Sequence, residues 1–130
     1  MQIRRPVLLN LPLARLLLNT LRTKPHLHDQ SVWREDRAEG VAHCVAGWTV
    51  ELSGAVWGPL PGMVTWQGEV RSIPVLAWEL LGLDPVQGRQ LCYLSDEAEV
   101  VAVLEQWVEQ ACVHQRTQLA ALQADFYRAS

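Results

Sequence analysis

The sequence predicts a mainly α-helical single domain, about five helices with one short β-hairpin packed against them. Three observations carry that expectation. Apolar residues recur at three- and four-residue spacing through most of the chain, the period of one helix face. Cap-and-proline starts occur at Asn10-Leu11-Pro12, Ser72-Ile73-Pro74 and Asp84-Pro85. Only the stretch from Met63 to Ile73 switches to alternation, around a Gln67-Gly68 turn.

Residues 1–10 read as an extended N-terminal arm, and Asn10 as the cap of the first helix. Pro12 falls in the first turn, where its missing N–H costs nothing. The helix is expected to run to about Lys24, before Pro25, burying Leu13, Leu17, Leu18 and Leu21 and exposing Arg15, Asn19 and Arg22. Residues 25–38 mix Pro, His, Asp, Gln and alternating charges, and read as an ordered loop pinned by Trp33. A second helix is expected from Val41 to Ser53, stopped by Gly54, with Val41, Cys44, Val45, Trp48 and Leu52 on one face. Gly47 weakens that helix by about 1 kcal/mol relative to Ala, so it marks close approach of another backbone.

The hairpin at 63–73 is too small to stand alone and must pack on helices. A third helix follows to Gly82, and Asp84-Pro85 opens a short fourth to about Leu91. Ser95 is expected to cap a long last helix, with Asp96, Glu97 and Glu99 favourable to its dipole. Val101, Leu104, Val108, Ala111, Leu119, Leu122 and Phe126 form its apolar seam, which lapses at Gln115, where a bend or break is expected. The helical domain thus spans 11–110, its core built from the first helix, the Cys44 helix and the front of the last one. Residues 111–130 form an extension that projects or packs on a partner.

At 130 residues the chain is long enough for one real core, and 49% hydrophobic residues argue against disorder. Six Trp against one Phe place several indoles at core edges or grooves, where the N–H can find a partner. A net charge of −3 argues against a protein dedicated to nucleic-acid backbones. Cys44, Cys92 and Cys112 are odd in number and widely spaced, which suits a reducing cytoplasm better than a disulfide framework. Arg4-Arg5 before a leucine run imitates a signal peptide, but Arg15 and Asn19 interrupt it, and no apolar run is long enough to span a bilayer. A cytoplasmic protein without a membrane partner is expected.

Several motifs stand in a fixed order: Asp29-Gln30-Ser31-Val32-Trp33, Cys44-Val45-Ala46-Gly47-Trp48, Leu52-Ser53-Gly54 and Leu80-Leu81-Gly82-Leu83. In this the chain resembles a family of small, uncharacterised bacterial and phage proteins carrying D-Q-S-x-W and C-x-A-G-W motifs, over about residues 11 to 110. The resemblance implies a helical fold with a hairpin and brings no activity. Members often carry a further Cys five residues before the C-x-A-G-W cysteine, where this chain has Glu39. They also tend to carry an aromatic before D-Q-S, where this chain has His28. A cysteine pair or metal site in the family would therefore not be kept here.

Candidate chemistry gathers around Cys44. A thiol near a helix N-terminus beside His43 has the outline of an activated nucleophile. Adjacent helical residues diverge by about 100°, however, so a base would come from His26 or His28, oriented by Asp29. His26, His28, His43, Asp29 and Cys44 are also competent zinc ligands, at spacings that match no standard site. Against both stands the usual role of free Cys as a small buried hydrophobe, here on the Trp48 face. Asp29, Gln30 and Ser31 have a parallel explanation as side chains that satisfy loop backbone groups. Arg22, Lys24, Arg34 and Arg37 are interleaved with Glu35, Asp36 and Glu39, so a solvated mixed-charge surface is expected rather than a phosphate site. No Gly-rich phosphate loop, nucleophile elbow or H-E-x-x-H motif is present, and no cofactor is expected.

The expected function is a non-enzymatic protein-binding or regulatory adaptor, phage-related and homodimeric through residues 111–128. Trp57, Trp66, Leu119, Leu122 and Phe126 are its interaction candidates. The alternative is a small thiol- or metal-dependent enzyme centred on Cys44 with His26 or His28.

Overall fold

A computed structural model describes residues 4–129 of the chain. Asn10 opens the first helix, α1 (Leu11–Thr23), in extended backbone, its side chain accepting from Leu13 N at 3.3 Å. Leu11, Ala14, Leu17, Leu18 and Leu21 are buried, while Leu13 is only half-buried at the edge of the stripe. Pro25 cannot continue the helix and begins a 3₁₀ turn, Pro25–Leu27.

The next segment departs from expectation. Residues 35–42 are not loop and helix but a small antiparallel hairpin, β1 (Glu35–Arg37) paired with β2 (Gly40–Ala42). Gly40 turns the chain at φ 140°, a conformation that other residues adopt only with strain. The second helix, α2 (Val45–Leu52), therefore starts four residues later than Val41. Cys44 is its N-cap, with Sγ accepting from Gly47 N at 3.4 Å, and Cys44 and His43 lie before the helix rather than on it.

The hairpin predicted at 63–73 is present as β4 (Met63–Trp66) and β5 (Glu69–Ser72), and it carries a third antiparallel strand, β3 (Val56–Trp57), on its outer edge. Gln67 and Gly68 both have positive φ, 50° and 81°, as the tight turn between paired Trp66 and Glu69 requires. The fold is thus mainly α with two small antiparallel sheets instead of one hairpin. Ser72 leads directly into α3 (Ile73–Leu81), which ends on left-handed Gly82. A capping box between Asp84 and Gln87 starts α4 (Pro85–Cys92).

The last helix, α5 (Glu97–Ala129), runs through Gln115 without a break. Asp96, not Ser95, holds its first turn, accepting from Ala98 N at 2.9 Å. Its buried face is Val100, Leu104, Trp107 and Ala111. The seam is thus rotated from the one expected, since Val101 and Val108 are only half-buried while Trp107 is fully enclosed. α2 packs on α3, and α1 lies between α2 and α5.

The N-terminal arm is clasped, not free. Asn10 N donates to Leu81 O at 2.8 Å, and Gln87 Nε2 donates to Arg4 O at 3.0 Å. A side chain at Gly82 would strike the Leu8 carbonyl, so that glycine serves both the helix end and the docked arm. Residues 1–3 of the expected arm lie outside the described residues.

Candidate functional site

The D-Q-S-x-W loop and the start of α2 form one stitched unit. Asp29 N donates to His43 O at 3.0 Å, His43 N to Leu27 O at 3.1 Å and Cys44 N to Val32 O at 2.7 Å. Gln30 is its hub. Its Oε1 accepts from Val45 N at 2.7 Å and faces His28 Nε2 at 2.8 Å. Its Nε2 donates to Leu94 O at 2.9 Å, and its backbone N–H to a Glu97 carboxylate oxygen at 2.8 Å. One side chain thus joins the loop, the first turn of α2 and the α4–α5 junction. Because an amide oxygen only accepts, His28 carries its proton on Nε2.

Asp29 serves the loop's own backbone, as the sequence suggests. Its carboxylate accepts from Ser31 N at 2.9 Å, Ser31 Oγ at 2.6 Å and an Arg37 guanidinium nitrogen at 2.6 Å. The Ser31 hydrogen bonds, with help from Arg37, hold its pKa down at about 2. It does not orient a histidine.

Burial pushes the Cys44 thiol up, against the pull of nearby backbone N–H groups. With the residue only 4% exposed, this is a buried apolar cap and not a thiolate. Burial likewise pushes Cys92 up to about 12. Burial lowers His28 despite its Gln30 partner and the nearby Glu97 and Asp29 charges. It lowers His43 too, whose Nδ1 lies 2.9 Å from the Trp33 carbonyl, the geometry of an N–H donor. His26 is exposed on the 3₁₀ turn. The candidates His26, His28 and Cys44 are not brought together as ligands, and among the described residues no three such side chains converge on a metal position.

His43, which the sequence places poorly for catalysis, has a structural task. Its ring sits 4.6 Å from Trp48 and 5.2 Å from Trp57, between their indoles. Gly47 makes room for this: a Cβ there would overlap the Trp33 carbonyl oxygen that His43 binds. The close approach inferred from the glycine is therefore real. Trp48 Nε1 donates to Leu27 O at 3.0 Å and Trp57 Nε1 to Glu51 Oε2 at 2.6 Å.

Of the interaction candidates, Trp57 and Trp66 are half-buried against the core. Trp57 also borders a shallow cleft of about 400 Å³ with Trp33, Arg34 and Pro59. The other three behave differently. Leu119, Leu122 and Phe126 are 56, 66 and 70% exposed, and every residue from 113 to 129 is exposed. That is about 25 Å of helix, at 1.5 Å per residue, beyond the last buried residue, Ala111. No helix among the described residues is long and apolar enough to cross a membrane. Compared with protein families, with curated proteins and with solved structures, the chain matches none.

Proposed function

We propose that this chain is a non-enzymatic protein-binding adaptor whose binding element is the projecting half of α5. The observation that carries the reading is the exposed line Leu119, Leu122 and Phe126 on a helix segment with no buried residue. Isolated helices of this length are marginal in water, and a contiguous apolar line on a solvated helix marks an interaction surface. The thiol site supports the same reading by its inertness: Cys44 is buried and Asp29 and His28 are committed to loop geometry. Three free cysteines favour a reducing, cytoplasmic setting, and the motif resemblance is the reason to propose a phage-related one.

The test compares the full chain with a Leu119→Ala, Leu122→Ala, Phe126→Ala variant. The variant should keep the parent's circular dichroism and melting temperature, because these side chains lie outside the core. Immobilised parent should retain protein, either the chain itself or a component of native-host extract identified by mass spectrometry, that the variant loses. Identical retention by both chains refutes the reading.

A further inference from the structure

The N-terminal arm is held by its main chain and by one enclosed side chain. Gln87 Nε2 donates to the Arg4 carbonyl at 3.0 Å, and the Leu8 carbonyl lies where a Cβ on Gly82 would stand. Asn10 N and Nδ2 donate to the Leu81 and Leu80 carbonyls at 2.8 and 3.0 Å. Pro6 is buried, whereas the chain turns at Val7 and Leu8 and sends both side chains outward, 78 and 80% exposed. The seat is built without the arm's help. Gln87 is buried and fixed by the capping box, its Oε1 accepting from Asp84 N at 3.2 Å and its N–H donating to Asp84 Oδ1 at 2.7 Å. With the arm removed, Gln87 Nε2–H loses its partner, so the seat favours any chain that brings a carbonyl to it.

The arm also fits its seat loosely. A hollow of about 430 Å³ remains between Arg5, Val7 and Leu8 on one side and Gly82, Leu83 and Gln87 on the other. A second, of about 490 Å³, opens between Arg5 and the α5 residues Gln106, Glu109, Gln110 and His114. On that wall Gln110 keeps its Oε1 buried with no hydrogen-bond partner among the described residues. Buried acceptors are ordinarily paired, so this one marks a contact that the arm does not supply.

We infer that residues 4–9 are a displaceable strap over a docking groove, and that the groove takes a partner protein's segment of the same chemistry: an accessible carbonyl, then a basic residue, then proline. The seated arm itself argues for this occupant. Its carbonyl meets Gln87, its proline is enclosed, and Arg5 lines the same hollow as the Glu109 carboxylate, while Val7 and Leu8 are left to solvent. A segment offering those three groups makes the same contacts, and one with a donor that reaches Gln110 makes one more. The strap competes with any such partner, because it must open first. When the open form is under about 10% of the population, apparent affinity falls at least about 10-fold, so the arm is an autoinhibitory contact. This groove is separate from the exposed residues 113–129, and its failure leaves the reading of α5 as it stands.

The test uses the full chain and a fluorescein-labelled, amidated peptide of residues 4–9, Arg-Arg-Pro-Val-Leu-Leu. Fluorescence anisotropy should show the peptide binding an Arg5→Ser, Pro6→Gly chain at least about 10-fold more tightly than the parent. Adding Glu109→Lys to that chain, or replacing the peptide's proline with glycine, should weaken binding several-fold. A second readout leaves the arm's anchoring groups intact: a dye on Val7→Cys, in a Cys112→Ser chain, should gain mobility when unlabelled peptide displaces the strap. No peptide binding by the loosened chain, with the parent's circular dichroism retained, would overturn the groove. Equal binding by parent and loosened chains, or by the proline and glycine peptides, would overturn it too. Dye mobility that stays constant at millimolar peptide would overturn displacement, whether or not the loosened chain folds.

Discussion

Replacing Gln30 with Ala tests the claim that one amide holds the loop, α2 and the α4–α5 junction together. The substitution leaves the Val45 N–H, the His28 Nε2–H and the Leu94 carbonyl without their partner. Val45 is fully buried and His28 nearly so, and a buried group left unpaired costs about 1–3 kcal/mol. Gln30 itself is half-buried, so water enters part of the vacated space and the low end of that range, about 1 kcal/mol per group, applies. Three groups then cost about 3–4 kcal/mol in total. Against a typical stability of about 5–15 kcal/mol this is a large fraction. At about 3–4 °C per kcal/mol for a domain of this size, the melting temperature should fall by about 10–15 °C. Calorimetry gives the global effect, and hydrogen exchange at the Val45 amide gives the local one, expected to lose protection first. A variant melting within about 3 °C of the parent, with Val45 still slow to exchange, would refute the hub, a threshold set by about 1 kcal/mol.

Three further outcomes follow from the same geometry. Burial holds His28 and His43 below their ordinary pKa, so below about pH 6.5 the unfolded chain binds more protons and stability falls; Asp29, held at about 2, adds a second loss only below about pH 4. Melting temperature should therefore drop between about pH 7 and pH 5 and again toward about pH 2, and a rise on first acidification would contradict the assignment. A thiol reagent at neutral pH should label Cys112 in the native chain and reach Cys44 and Cys92 only in denaturant, whereas native labelling of Cys44 as fast as Cys112 would reopen a reactive-thiol reading. Gly47→Ala gains about 1 kcal/mol in helix propensity but must displace a backbone carbonyl; overpacking of that kind costs about 1–3 kcal/mol or more, so the urea midpoint should fall, and an unchanged one would show that the Trp33 loop yields freely.

The helix starts at Asn10, Ser72 and Asp84 are legible in the sequence because each combines a capping residue type with a following proline, a local signal that packing does not override. The 63–73 hairpin is legible from alternation and a glycine turn. The β1–β2 hairpin is not: Glu35, Asp36 and Arg37 show no alternation of apolar and polar residues, and Val41 to Cys44 continues an apolar run that suits a helix equally well. Cysteine is an uncommon N-cap, so nothing at position 44 announces that α2 begins there. On α5 both Val101–Leu104–Val108–Ala111 and Val100–Leu104–Trp107–Ala111 fit a helical stripe, and packing favours the line that encloses the largest side chain. The role of Gln30 requires tertiary contacts with residues more than sixty positions away, which no local pattern carries.

The two halves of α5 differ in what encloses their apolar residues. In the first half Val100, Leu104, Trp107 and Ala111 face the core, and Glu105 beside them is exposed and pairs with Arg22. In the projecting half Leu119, Leu122 and Phe126 are exposed. Burying apolar area stabilises by roughly 25 cal/mol per Å², whereas an exposed ion pair such as Arg22–Glu105 contributes about 0–1 kcal/mol. The apolar area of the projecting half therefore adds little to the isolated fold and is available to association, so loss of Leu119, Leu122 or Phe126 changes binding while the core melts as before.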